Sequence, residues 1–202
     1  MAECAEPLIN YVDSLREPGR ITAKIYAGIE STEEKPENGF MAHTQNNPFG
    51  WTNPGWNFNW GWSPAGVPWI LQNCWEYYEF TGDKDYMETR IYPMMKEEAT
   101  LYDQMLMRDK DGKLVSVPSY SPEHGPRTAG NTYEHSLIWQ LYEDTITAAE
   151  TLGVDDAKVA EWKKNQADLK GPIEVGDSGQ IKEWYNETEL YKDEKGNKLG
   201  EG

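Results

Sequence analysis

A chain of 202 residues with 38% hydrophobic and 12% aromatic residues can bury one good core, which excludes a disordered polypeptide. Its formal net charge of −16 excludes nucleic acid and anionic membrane as partners, because both demand a positive footprint, and leaves neutral ligands open. No apolar run is long enough to span a bilayer, and the segment MAECAEPLIN has no basic region leading into an apolar one.

The apolar periodicity predicts an all-α chain. Leu8, Ile9, Val12 and Leu15 form one stripe of a helix over Ala2 to Leu15, which the Arg16-Glu17-Pro18-Gly19 run should end. A short helix over Ile21 to Ala27 closes at Gly28, and 29–38 reads as an acidic surface connector. From a cap at Ser63-Pro64, helical spacing of Ile70, Leu71, Cys74, Trp75 and Tyr78 runs to Thr81-Gly82. Asp83 caps a second long helix, kinked or split at Pro93, so that the two form an antiparallel hairpin. Its methionines read as core filler. Lys113 to Val117 is at most a short strand. Thr132 caps a helix to Leu152, ended by Gly153, and Asp155 or Asp156 begins its partner through Val159, Trp162 and Leu169. Segment 173–184 is extended and punctuated by glycine. Cys4 and Cys74 both fall in apolar helical patterns and read as buried free thiols, and no metal-ligand spacing is present. Two regions result: residues 1–190, built of helical hairpins with long irregular loops, and a charged, flexible tail over 191–202.

Two stretches carry chemistry. Residues 39–62 hold four tryptophans interleaved with asparagine and glycine, with no helical or strand period. Indoles that stack on a pyranose, with amides beside them to bond its hydroxyls, suit a sugar-binding surface; the plainer alternative is an aromatic loop packed over helix ends. Trp51, Trp56 and Trp60 are the candidate sugar contacts. The second stretch, 116–133, carries three prolines and two glycines and reads as an irregular loop around Glu123. A carboxyl on stiff backbone among aromatic rings suits a general acid, because apolar walls raise its pKa.

Several motifs together resemble glycoside hydrolase family 95. They are Leu15-Arg16-Glu17-Pro18-Gly19-Arg20, Thr22-Ala23-Lys24, and the run from Ala42 to Trp51 (AHTQNNPFGW). They continue with the run from Tyr77 to Asp83 (YYEFTGD) and with Ser119-Tyr120-Ser121-Pro122-Glu123-His124-Gly125. The match is collinear from Ala2 to about Trp184. The resemblance implies an (α/α)6 barrel that hydrolyses terminal α-L-fucosyl linkages, often α-1,2, with inversion and without a cofactor. It implies Glu123 as general acid, with the base side formed by an asparagine that an aspartate polarises, expected before position 1 and after position 202. His43 and a tryptophan of 51–62 resemble positions lining the sugar pocket, with Asn46, His124 and Glu134 as further candidates. About seven helices are countable where such a barrel needs twelve, so the chain is expected to be an incomplete ring, an internal fragment whose partner is the remainder of its own catalytic domain. The other expected partner is a fucosylated oligosaccharide or glycan. The alternatives are an α-L-galactosidase of the same fold and a non-catalytic carbohydrate-binding fragment. The resemblance points to an extracellular or cell-surface bacterial enzyme, while the fragment itself leaves its compartment open.

Overall fold

A computed structural model describes residues 2–56, 61–121, 124–177, 179–185 and 195, with backbone alone for 2, 3 and 124–126. Helices dominate, as the periodicity predicts, and the described helices do not close a ring. After a 3-10 turn over Ala2–Ala5, α1 covers Glu6–Ser14, with Pro7 in the first turn, where an amide N–H has no intrahelical partner to lose.

Helix α2 covers Arg16–Ala27 and ends at Gly28, φ 70°. It corrects the expected stop at Arg16 to Gly19. Pro18 lies in the first turn, so its ring breaks no hydrogen bond. Gly19 marks a close crossing: a Cβ there would lie 3.1 Å from Cβ of Phe40. Arg16 and Arg20, one turn apart on α2, both grip Glu97 across the core. The contacts are Arg16 Nε to Oε2 at 2.8 Å, Arg20 Nε to Oε1 at 2.6 Å and Arg20 Nη2 to Oε2 at 2.9 Å.

Helix α3, Gly66–Thr81, starts three residues beyond the expected Ser63 cap and ends as expected at Gly82. Asp83 then caps, accepting the Tyr86 N–H at 3.0 Å. One helical turn, Lys84–Tyr86, widens into a π segment, Met87–Ile91, before α4, Tyr92–Met105. The split expected at Pro93 is this widened turn immediately ahead of it, which puts Pro93 in the first turn of a new helix.

Strand β1, Leu106–Arg108, pairs antiparallel with β2, Leu114–Ser116. The stretch expected to be an irregular loop is a second small hairpin. In it β3, Ser119–Ser121, pairs with β4, His124–Thr128, matching Ser119 with Thr128 and Ser121 with His124. Asn131, not Thr132, caps α5, Thr132–Leu152, and Gly153 ends it with φ 71°. Asp155 precedes α6, Asp156–Asp168, but does not cap it. With φ 57°, it sends its carboxylate to Tyr92 and Lys96, each at 2.7 Å.

Helix α5 packs against α3, α4 and α6 and is the centre of the molecule. Ile9, Phe40, Leu71, Met94, Tyr102, Ile138, Tyr142 and Trp162 belong to one core around it. A smaller cluster joins Ala23 of α2, Met41 and Trp62, Leu101 and Met105 of α4, and Tyr120 of β3. Met87, Met94, Met95 and Met105 are buried filler, as expected, and Met41 is buried as well. Cys74 is buried, but Cys4 is exposed, because the 3-10 turn does not continue the apolar face of α1. The tail expected over 191–202 lies, except for residue 195, outside the described residues.

The Glu97 carboxylate is buried, while Arg16 and Arg20 keep some solvent contact. Glu97→Ala removes the one buried anion the two guanidinium groups share and leaves them only the more exposed carboxylates of Asp13 and Glu37. The variant is expected to lose about 2–3 kcal/mol, less than for a fully buried pair, read as a fall in the urea midpoint at unchanged slope.

Candidate active site

The aromatic segment is anchored by its own backbone. Met41 N–H donates to Gly19 O at 3.0 Å, and His43 N–H donates to Thr52 O at 3.0 Å, so the chain between folds back as a loop over the start of α2. Within the loop, Asn47 Oδ1 accepts the N–H groups of Phe49 and Trp51 at 3.0 and 3.4 Å. His43 is buried and Nδ1 accepts the Ser63 N–H at 2.9 Å. An imidazole whose Nδ1 accepts carries its proton on Nε2 when neutral. Burial holds it neutral by pushing its pKa down to about 3. That leaves Nε2 as a buried donor with no partner among the described residues. The ring stacks obliquely on Trp62, centroids 4.8 Å apart, with Tyr26 edge-on at 6.3 Å. Trp62 in turn donates from Nε1 to Pro118 O at 2.8 Å, tying the aromatic segment to the residue before β3.

Strand β3 is fixed on its other side by the first turn of α5. Asn131 Oδ1 accepts the Glu134 N–H at 2.8 Å, Asn131 Nδ2 donates to Ser119 Oγ at 2.7 Å, and Ser119 Oγ donates to Glu134 Oε2. Two residues along the strand, Ser121 Oγ donates to Glu183. Burial raises the Glu134 carboxyl to about 7, with the hydroxyls of Ser119 and Ser116 pulling the other way. His135 locks the neighbouring strand: Nε2 accepts the Ser116 N–H at 3.1 Å and Nδ1 donates to Lys170 O at 2.7 Å. Gly130 is required beside it, with φ 80° and only 2.8 Å from the position of an added Cβ to His135 Nε2. Tyr133, next along α5, meets Ser63 Oγ at 3.1 Å, so α5, the histidine segment and β3 converge.

The predicted site residues fall into three groups. His43, Asn46 and Glu134 are placed by hydrogen bonds: Asn46 takes the Tyr11 hydroxyl on Oδ1 and donates from Nδ2 to His43 O at 2.6 Å. Trp51 is about half exposed and Trp56 almost wholly so, at 45% and 96%. Glu123 and Trp60 lie outside the described residues, as does the side chain of His124, whose backbone pairs with Ser121. Among the described residues no group of His, Cys, Asp and Glu is arranged to hold a metal. A hollow of about 490 Å³ is lined by Asp109, Trp139, Lys170 and Glu174, none of them a predicted site residue. Its Lys170 and Asp109 pair with each other at 3.1 Å.

The model of the glycosyl hydrolase family 95 catalytic domain matches residues 1–197. The chain belongs to glycosyl hydrolase family 95. Among proteins of this kind it is similar to "Alpha-L-fucosidase 2" of Arabidopsis thaliana, 29% identical over 93% of this chain and 22% of the relative. It is also similar to "Probable alpha-fucosidase A" of Aspergillus niger, 30% identical over 96% of this chain and 25% of the relative. A protein of the same name from Aspergillus oryzae is 37% identical over 110 residues. The chain thus spans about a quarter of the length of these two longer-matching relatives, at 22% and 25%.

Within this family 95 segment the sequence reading missed Ser119, Asn131, Tyr26 and Tyr133. Asn131 carried a signal: Asn131-Thr132-Tyr133-Glu134 has a capping residue three before a glutamate. The Glu134 side chain departs from the capping box by turning to Ser119 instead of back to the cap.

His135 gives a pH test of this junction. Burial pushes its folded pKa down to about 4, against an ordinary value of 6.5. The unfolded chain therefore binds a proton that the folded chain refuses, and stability falls as pH drops from 6.5 towards 4. Between pH 7 and 5 the wild type should lose about 2 kcal/mol more than His135→Gln, measured by denaturant titration at both pH values. Parallel losses would contradict the assignment.

Proposed function

We propose that this chain is a segment of the catalytic domain of an inverting α-L-fucosidase, acting on terminal fucosyl groups, α-1,2-linked ones foremost, and that it supplies the general acid, Glu123. One observation carries the reading: the strand leading into Pro122-Glu123 is held between a buried histidine–tryptophan pair and the first turn of α5. The family match and the fucosidase names of the relatives support the sugar.

In this mechanism the Glu123 carboxyl gives its proton to the departing glycosidic oxygen as the C–O bond breaks. A water attacks the anomeric carbon from the opposite face and loses its proton to a base on that side, leaving a product of inverted configuration. Separation of acid and base across the ring is what admits the water. His43 Nε2–H offers one hydrogen bond to a sugar hydroxyl, and a donor already stripped of water loses little on binding. Trp51 and Trp56 present indole faces for a pyranose C–H face. Glycan strands or glycoconjugates ending in fucose are the substrate class.

In the intact enzyme, Glu123→Gln should lower kcat on fucosides with poor, sugar-alcohol leaving groups by about 10²–10⁴-fold, while sparing aryl fucosides whose phenols need no proton. Equal loss on both would remove the acid role. Turnover of α-L-fucosides against α-L-galactosides, which differ by a hydroxyl at C6, separates the proposed enzyme from an α-L-galactosidase.

A further inference from the structure

The geometry assigns Glu134 a second role in this reaction. We propose that it is a positioning residue, acting through Ser119 to hold the strand that ends two residues before the acid in sequence, and that it does not touch the sugar. This rests on the proposed acid role of Glu123.

The basis is a closed ring of three directional bonds. Asn131 Nδ2 can only donate, so at 2.7 Å it occupies an acceptor site of Ser119 Oγ. The single serine proton is then committed to Glu134 Oε2. Glu134 N–H returns to Asn131 Oδ1 at 2.8 Å. All three side chains are buried, with Ser119 and Asn131 fully enclosed and Glu134 1% exposed. A sugar hydroxyl would have to displace Ser119 to reach Oε2, and Oε1 is enclosed within the fold. Removing any one member frees β3 from α5 four residues before Glu123, although it removes nothing from the acid itself.

The groups facing Glu134 explain why the ring needs this residue type. Tyr102 from α4, itself close to Glu98, Tyr133 from the same helix and Tyr185 from the C-terminal segment all sense its charge, and each is an acid. Glu134 Oε1 and the Tyr102 hydroxyl are buried without hydrogen-bond partners among the described residues. A carboxyl in such surroundings is kept neutral over the acid range, with its proton on Oε1, and Oε2 stays free to accept from Ser119. Burial and the serine hydroxyls together set that point at about 7.

The test uses the intact enzyme and compares Ser119→Ala, Glu134→Gln and Glu123→Gln on two fucosides, one with a sugar alcohol and one with an acidic phenol as leaving group. Ser119→Ala should lower kcat on the poor leaving group about ten- to a hundred-fold with KM unchanged, and spare the aryl fucoside, because a displaced acid fails only where a proton is needed. Glu134→Gln keeps an amide oxygen to accept from Ser119 and should show the same pattern at smaller size. A rise in KM for Glu134→Gln, equal across leaving groups, would mean sugar contact and overturn the proposal. Equal kcat losses on both substrates, with a lowered Tm, would mean a structural role alone and overturn it also. If only Glu123→Gln discriminates between leaving groups, the positioning role fails and the acid stands; if none of the three does, both fail.

Discussion

The arrangement of this segment depends on one buried polar junction, where Asn131, Ser119 and Glu134 join a three-residue strand to the first turn of the central helix. So short a strand cannot hold its place through a ladder, since β3 and β4 share two paired positions around an irregularity. The side chains must do it. Buried hydrogen bonds of this kind add little net stability when satisfied, but leaving one partner unpaired costs about 1–3 kcal/mol each. The junction therefore specifies a position more than it adds stability. Stability comes from the helical core and from the Glu97 grip on Arg16 and Arg20, which ties α2 to α4.

The tryptophan-rich stretch divides its rings between two jobs. Trp62 is buried, closes the smaller core with Met41, Leu101 and Tyr120, and bonds to Pro118. Trp56 and Phe49 stand almost fully in solvent, at 96% and 94%, on a loop whose turns are satisfied by Asn47 and by backbone bonds. Such a loop holds large apolar rings out without needing them as packing. His43 stands between the two groups, its Nδ1 used and its Nε2 without a partner among the described residues. Packing falls to Trp62, and ligand contact is the role proposed for the exposed Trp51 and Trp56.

Much of this was legible in the chain itself. Helical periods and the glycines at 28, 82 and 153 marked the helix ends, because an αL residue at a C-terminus has few chemical solutions. Where the reading failed, partners distant in sequence decided the structure. Pro18-Gly19 looks like a break, and becomes the opening turn of a helix because Phe40 must pass close to it. The strand Ser119–Ser121 has no apolar alternation to reveal it, since its serines are buried by partners 15 and 62 residues away. Asn131 and Thr132 are both of capping type; the Asn131 side chain, whose Oδ1 takes the Glu134 N–H, is the one that caps. The family, by contrast, was readable from separated motifs in order, and the match over residues 1–197 bears it out.

A crystal structure of the intact enzyme with an uncleaved fucosyl glycoside bound tests the account most directly. It should place the Glu123 carboxyl about 3 Å from the glycosidic oxygen, with His43 Nε2 donating to a fucose hydroxyl and Glu134 still bonded to Ser119 beneath. A Glu123 side chain turned into solvent, with the sugar seated away from the histidine and the exposed indoles, would contradict it.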